Sequence, residues 1–263
     1  TDAMGVLAKL SGGQALLSFP RLQATLDCLL GLGTGLILLG ILAFAGSRLG
    51  KASGKTEIMG WTFRIQTPPN PSSNQRVMLL LHGHLGNENV MWVLTKPIPK
   101  DYYFLAPRAP VELGENQYSW HGFASQWLDL QAYKTLVDEV LSRVDQWMQD
   151  HQLDNKIIDI MGFSQGAVMA YAIAILYPHR VRRVAALAGF VPHSWIYAFK
   201  PPPFSNLSLF IAHGSRDDVI PIKKSRQAAA WFKKHGAQVS FCEADIGHKL
   251  SANCFKGLGA FFA

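Results

Sequence analysis

The chain has 263 residues and a mass of 29.0 kDa, with 49% hydrophobic and 16% charged side chains. Those proportions exclude a disordered chain, and the length suffices for a large domain with its own core. The net charge is +7, but Lys and Arg are scattered and not interleaved with aromatics, so the basic balance reads as solvated surface and excludes a nucleic-acid interface.

From Cys28 to Gly46 no residue is charged, over a length close to the ~20 residues a helix needs to cross a hydrocarbon core. Asp27 closes one end, Arg48, Lys51 and Lys55 follow the other, and Gly31 and Gly35 form a GxxxG pair. Residues 28–46 are therefore expected to be a membrane anchor. Two alternatives stand beside it. Ala43-Phe44-Ala45 has the form of a signal-peptide cleavage site, and the segment also suits a buried helix or an arm packed on a partner subunit, so an oligomer stays open. The excess of positive charge after the run favours a membrane-associated protein with its C-terminal domain in the cytoplasm; secretion after cleavage is the other placement. Leu10-Ser11-Gly12-Gly13-Gln14 spells an ATPase signature, but no phosphate-binding G-x-x-x-x-G-K-[ST] accompanies it, so it carries no function. Gly46 to Gly60 reads as a polar linker, which divides the chain into an N-terminal segment, 1–55, and a domain, 56–263.

In that domain, short apolar runs alternate with helical patterns. Val77–Leu81 and Tyr102–Ala106 read as buried strands. Leu128–Gln149 has the apolar spacing of an amphipathic helix. Ile157–Met161 is a strand, Gln165–Tyr177 a buried helix stopped by Pro178, and Val184–Leu187 and Leu209–Ala212 are further strands. Ile222–His235 is a helix closed by Gly236, Val239–Cys242 the last strand and Leu250–Phe262 the last helix. This alternation predicts an α/β fold: a mostly parallel sheet with helices on both faces. Functional residues in such sheets gather on loops at the carboxyl ends of strands.

Gly162-Phe163-Ser164-Gln165-Gly166 is G-x-S-x-G between a predicted strand and a predicted helix, the context in which this motif exposes a nucleophilic serine. A serine hydroxyl is a weak nucleophile and needs a base. His248, on the loop between the last strand and the last helix, falls over the same sheet edge; His235 reads as a helix cap, His179 as surface and His213 as a residue that orients its loop. The acid should follow Leu209–Ala212, where Asp217 and Asp218 compete; Asp217 is preferred, and Asp218 reads as a loop cap or a solvent-facing residue. Two N–H donors are needed for an oxyanion: Gln165, after the serine, and a residue of His82-Gly83-His84-Leu85-Gly86, with His84 first and Leu85 next. The three cysteines, Cys28, Cys242 and Cys254, show no CxxC spacing, and a lone His84 is a weak metal signal, so no metal site is expected. Cys242 and Cys254 can pair in an oxidising compartment, which sequence alone does not decide.

Taken together, Leu80-Leu81-His82-Gly83, Ala106-Pro107-Arg108-Ala109-Pro110, Ser119-Trp120, Gly162-Phe163-Ser164-Gln165-Gly166, Ala188-Gly189-Phe190, the block His213-Gly214 to Asp217 to Ile220-Pro221, and Gly247-His248 occur in an order that resembles the phospholipase/carboxylesterase family of α/β-hydrolases, which includes the acyl-protein thioesterases. The resemblance covers about Arg76 to Phe262. It implies an α/β-hydrolase fold with Ser164 as nucleophile, Asp217 as acid and His248 as base, acting on a small-molecule or lipid-like acyl ester or thioester without cofactor. The family's first loop usually reads H-G-L-G-D; the departure here leaves the second oxyanion donor open between His84 and Leu85. The apolar N-terminal segment lies outside the family pattern.

Trp120, Phe123 and Trp127, and Trp195 with its aromatic neighbours Tyr197, Phe199 and Phe204, fall on loops near the same edge; each singly suits packing under a long loop, and as a group some of them, Trp120, Phe123 and Trp195 first, are expected to line a substrate groove. Two rival readings remain: a non-catalytic membrane-attached subunit with a hydrolase fold, and an acyltransferase using the same three residues.

Overall fold

The structure is a computed structural model and describes residues 53–122, 129–198 and 200–263. The expected anchor at 28–46, together with Phe123, Trp127 and Phe199, lies outside the described residues. Among the described residues no helix is long and apolar enough to cross a membrane.

The first strands are β1 (Ser53–Ile58) and β2 (Trp61–Gln66). They form a hairpin whose first strand falls in the stretch expected to be linker, Gly46 to Gly60, so the sheet begins at Ser53. The physical cause lies in its two-residue turn. Met59 (φ 47°) and Gly60 (φ 77°) both have positive φ, the geometry whose twist matches a hairpin. Five of the six residues of β1 are polar or glycine and the strand is mostly exposed, which is why its hydrophobic signal is faint.

Then follow β3 (Arg76–Leu81), a 3-10 turn at Val90–Thr95, β4 (Tyr102–Pro107), the small hairpin β5 (Val111–Gly114) and β6 (Gln117–Ser119), and helix α1 (Leu130–Asp150). The second half contains β7 (Ile158–Phe163), α2 (Gln165–Leu176), β8 (Val181–Leu187), α3 (His193–Ala198), β9 (Ser208–Gly214), α4 (Ile222–Lys234), β10 (Gln238–Ala244) and α5 (Ala252–Phe262). The large sheet has eight strands in the order β1-β2-β4-β3-β7-β8-β9-β10. The pairs β1–β2 and β2–β4 are antiparallel and the rest parallel.

Central strands are apolar on both faces because both faces are covered. Along β3, Val77, Leu79 and Leu81 enter the core shared with α1, α2 and α4, while Met78 and Leu80 enter the core shared with α5 and the 3-10 turn. Burying each such side chain stabilises the fold by about 1.5–3 kcal/mol. Helix α2 is buried nearly all round, as its run of Ala, Ile and Met requires, and ends before Pro178. Asp129 caps α1 by accepting the Ala132 N–H at 2.7 Å, so the helix starts at Leu130 and not at residue 128. The edge strand β10 pairs only with β9, and a disulfide, Cys242–Cys254, joins it to α5.

Candidate active site

Ser164 sits at the turn from β7 into α2 with φ 53° and ψ −116°, a conformation a non-glycine residue adopts only when its surroundings hold it there. The two motif glycines make the turn feasible. A Cβ on Gly162 would lie 2.2 Å from the Gly166 carbonyl oxygen, and one on Gly166 would lie 2.1 Å from that of Leu81. Only glycine lets β7, β3 and the start of α2 approach so closely. The Ser164 N–H is anchored to Leu187 O at 2.8 Å, and the side chain is left partly exposed above the sheet.

His248 approaches from the loop after β10. Its Nε2 is 2.9 Å from Ser164 Oγ and its Nδ1 is 2.7 Å from Asp217 Oδ2. A carboxylate only accepts, so Nδ1 carries the proton and Nε2 is left to accept from the serine hydroxyl. The ring also packs against Phe163, with centroids 5.2 Å apart. Asp217 is buried and Asp218 is exposed, which separates the two competing carboxylates. Asp217 Oδ1 accepts the N–H groups of Val219 and Ile220 at 3.0 and 2.8 Å, which aims Oδ2 at His248. His213, also buried, donates from Nε2 to Ile220 O at 2.8 Å and lies 3.2 Å from Asp217 Oδ2. The loops that carry Asp217 and His248 touch backbone to backbone: a Cβ on Gly214 would lie 2.2 Å from Ile246 O.

The loop after β3 reaches the serine closely, since a Cβ on Gly83 would lie 3.3 Å from Ser164 Cβ. Gln165 opens α2, where a first-turn N–H has no intrahelical partner. The loop residue Leu85 has φ 64° and is 45% exposed. Beneath the loop, His82 Nε2 accepts the Ala109 N–H at 3.0 Å, so Nδ1 bears the proton and donates to Gly83 O at 2.7 Å. Burial holds the His82 pKa down at about 4, and the ring stays neutral. Glu88 anchors the end of the loop. Burial alone would raise its pKa, but hydrogen bonds from Arg108 and Lys55 outweigh it and bring it to about 2.

The Gln165 side chain ties the start of α2 to the end of β6. Its Oε1 accepts the Trp120 N–H at 3.1 Å and its Nε2 donates to Ser119 Oγ at 2.9 Å. Ser119 in turn donates to His121 O at 2.6 Å and meets His84 Nδ1 at 3.2 Å. Burial, and then the neighbouring His121, lower the His84 pKa.

Two expected groove residues stand differently. Trp120 and Trp195 are each 1% exposed, so neither offers a surface to a ligand in this structure. Trp120 donates its indole N–H to His82 O at 2.7 Å, and Trp195 packs edge-on against Tyr133 with centroids 4.9 Å apart. Both rings are therefore packing and not ligand surface. Phe123 lies outside the described residues. The residues that sequence reasoning missed are Ser119, His82 and Glu88 as supports of the loops. Their one signal was position, since Ser119-Trp120 and His82-Gly83 stand immediately beside the motifs.

The phospholipase/carboxylesterase family model matches residues 62–262. Acyl-protein thioesterase 1 of Eremothecium gossypii is 24% identical over 226 residues, covering 77% of this chain and 93% of that protein. Esterase YpfH of Escherichia coli is 25% identical over 203 residues, covering 72% of this chain and 81% of that protein. Among solved structures, the Bacillus cereus carboxylesterase superposes with a TM-score of 0.69 at 19% identity, over 84% of this chain and 97% of that one.

Proposed function

Because the chain belongs to the phospholipase/carboxylesterase family, we propose that it cleaves carboxylic esters or thioesters through Ser164, His248 and Asp217. The observation that carries this reading is the continuous hydrogen-bonded line from Asp217 Oδ2 through His248 to Ser164 Oγ, at 2.7 and 2.9 Å.

In this mechanism Ser164 Oγ attacks the acyl carbonyl while His248 Nε2 takes its proton. Asp217 holds the imidazole tautomer and stabilises the imidazolium without itself being protonated. The oxyanion is received by the Gln165 N–H and by an N–H of the loop after β3, at His84 or Leu85; one such donor is worth about 3–4 kcal/mol of barrier lowering. His248 then protonates the leaving alcohol or thiol. It next activates water, which releases the acid from the acyl-serine. No metal or organic cofactor enters these steps. The substrate is a small-molecule or lipid-like acyl ester, and lipid-like esters are favoured if residues 28–46 hold the enzyme at a membrane. The Cys242–Cys254 disulfide supports placing the hydrolase domain outside the reducing cytosol, against the cytoplasmic placement expected from flanking charge.

The test is hydrolysis of p-nitrophenyl esters from acetate to palmitate by wild type and Ser164→Ala. Loss of all turnover in the variant is expected, with a chain-length profile that separates short-ester from lipid-like preference. Undiminished turnover in Ser164→Ala would overturn the assignment.

A further inference from the structure

His248 stands midway between the two bridged cysteines, six residues after Cys242 and six before Cys254. The disulfide therefore closes a hoop, and the base of the proposed mechanism is at its apex. One side of the hoop is well held without it. Ala244 O accepts the Ser215 N–H at 2.8 Å and Ile246 O accepts the Arg216 N–H at 3.0 Å, both from the acid loop. The other side is not. Among the described residues, no backbone hydrogen bond from another element reaches 247–250; the Lys249 N–H turns back to Gly247 O at 2.8 Å. Leu250 packs against the core and the His248 ring against Phe163, and the backbone of that half otherwise follows from where α5 begins. Ser251 caps α5 through the Cys254 N–H, and Cys254 is in its first turn. The partner cysteine lies in β10, an edge strand with one neighbour. The ties from Ser215 and Arg216 to Asp245 are exposed, where such contacts contribute little.

We propose that Cys242 and Cys254 are positioning residues: their disulfide fixes the first turn of α5 to β10 and thereby holds His248 within reach of both Ser164 and Asp217, so that turnover depends on the bond being closed. This rests on the reading of Ser164 and His248 given above. Opening is ordinary exchange with a dithiol. Its thiolate attacks Sγ of the half-buried Cys242, Cys254 leaves as thiolate and takes a proton, and the second thiol of the reductant displaces Cys242. Two cysteine thiols and one oxidised dithiol result, with two electrons transferred. The loosened hoop keeps its acid-side hydrogen bonds and loses the constraint on the side of α5. The hoop carries the base of the proposed mechanism, so the effect is expected on kcat, with KM unchanged.

The experiment uses the full chain treated with dithiothreitol under native conditions, with opening verified by the gain of two alkylatable cysteines. kcat and KM are measured per folded chain before reduction, after it and after reoxidation. A Cys242→Ser/Cys254→Ser variant provides the permanently open state. The expected result is a fall in kcat of about tenfold or more, on the scale that a misplacement of ~1 Å produces. KM should stay unchanged, reoxidation should restore activity, and the double variant should be insensitive to dithiothreitol. An unchanged kcat per folded chain after opening would overturn the proposal. Loss of activity together with the near-ultraviolet circular dichroism signal would also overturn it, since the bond would then be a fold staple only. Activity that survives Ser164→Ala in the closed state would overturn the reading of the site, and the tether with it.

Discussion

The indole N–H of Trp120 donates to the backbone carbonyl of His82 at 2.7 Å, and the two rings lie with centroids 5.1 Å apart. This contact joins the end of the small hairpin to the loop that follows β3, and that loop faces Ser164. Trp120→Phe keeps most of the ring volume but leaves His82 O buried without its donor, at a cost of about 1–3 kcal/mol. Chemical denaturation of wild type and variant should show that loss as a lower midpoint with unchanged slope. A variant as stable as wild type would show that the bond contributes nothing.

The neutral state of His82 gives the fold a pH signature. Its pKa is lowered from 6.5 to about 4 by burial, so between those values the unfolded chain binds a proton that the native chain does not. The stability it contributes is therefore complete above pH 6.5 and is lost as pH falls towards about 4. Urea midpoints measured across that interval should decline in wild type, and the decline should be smaller in His82→Asn. Equal slopes in both proteins would rule out His82 as the source.

Glu88 acts in the same sense at lower pH, its contribution being lost between 4.5 and about 2. Its pKa of about 2, below the ordinary 4.5, means that its ion pairs with Arg108 and Lys55 persist through mild acid and fail only as pH drops towards 2. Glu88→Gln should therefore be less stable than wild type at neutral pH, and the two should converge in strong acid. A gap that widens on acidification would contradict this.

The paired carboxylates after β9 should separate in kinetics. Asp217→Asn leaves the loop but reverses what Oδ2 offers to His248 Nδ1, so kcat should fall by about 10⁴-fold. Asp218→Asn, at an exposed position, should leave kcat unchanged. Comparable losses in both variants would mean that the acid has been misassigned.

Much of this organisation was legible beforehand, and the reasons are particular. The strands β3, β4, β7 and β9 are buried on both faces, so they stand out as continuous apolar runs. The turn at Ser164 needs glycine on both sides for a steric reason, which makes its motif readable. The β1–β2 hairpin escaped because β1 presents Gly54, Lys55, Thr56 and Glu57 to solvent and its turn uses Met59-Gly60 instead of a typical pair. Trp120 and Trp195 were misplaced for a different reason: proximity to a strand end predicts that a side chain is near the site, but not whether it points above the loop or beneath it. The pairing of Cys242 with Cys254 depends on α5 returning against β10, a tertiary fact that no local pattern carries.

The most direct test of the central claim is covalent labelling of the folded full chain by a fluorophosphonate, with the modified residue located by peptide mass. One phosphonyl group per chain on Ser164 is expected, with labelling strongly slowed in His248→Ala. Absence of labelling in a folded protein, or modification at a serine other than Ser164, would contradict the assignment of nucleophile and base.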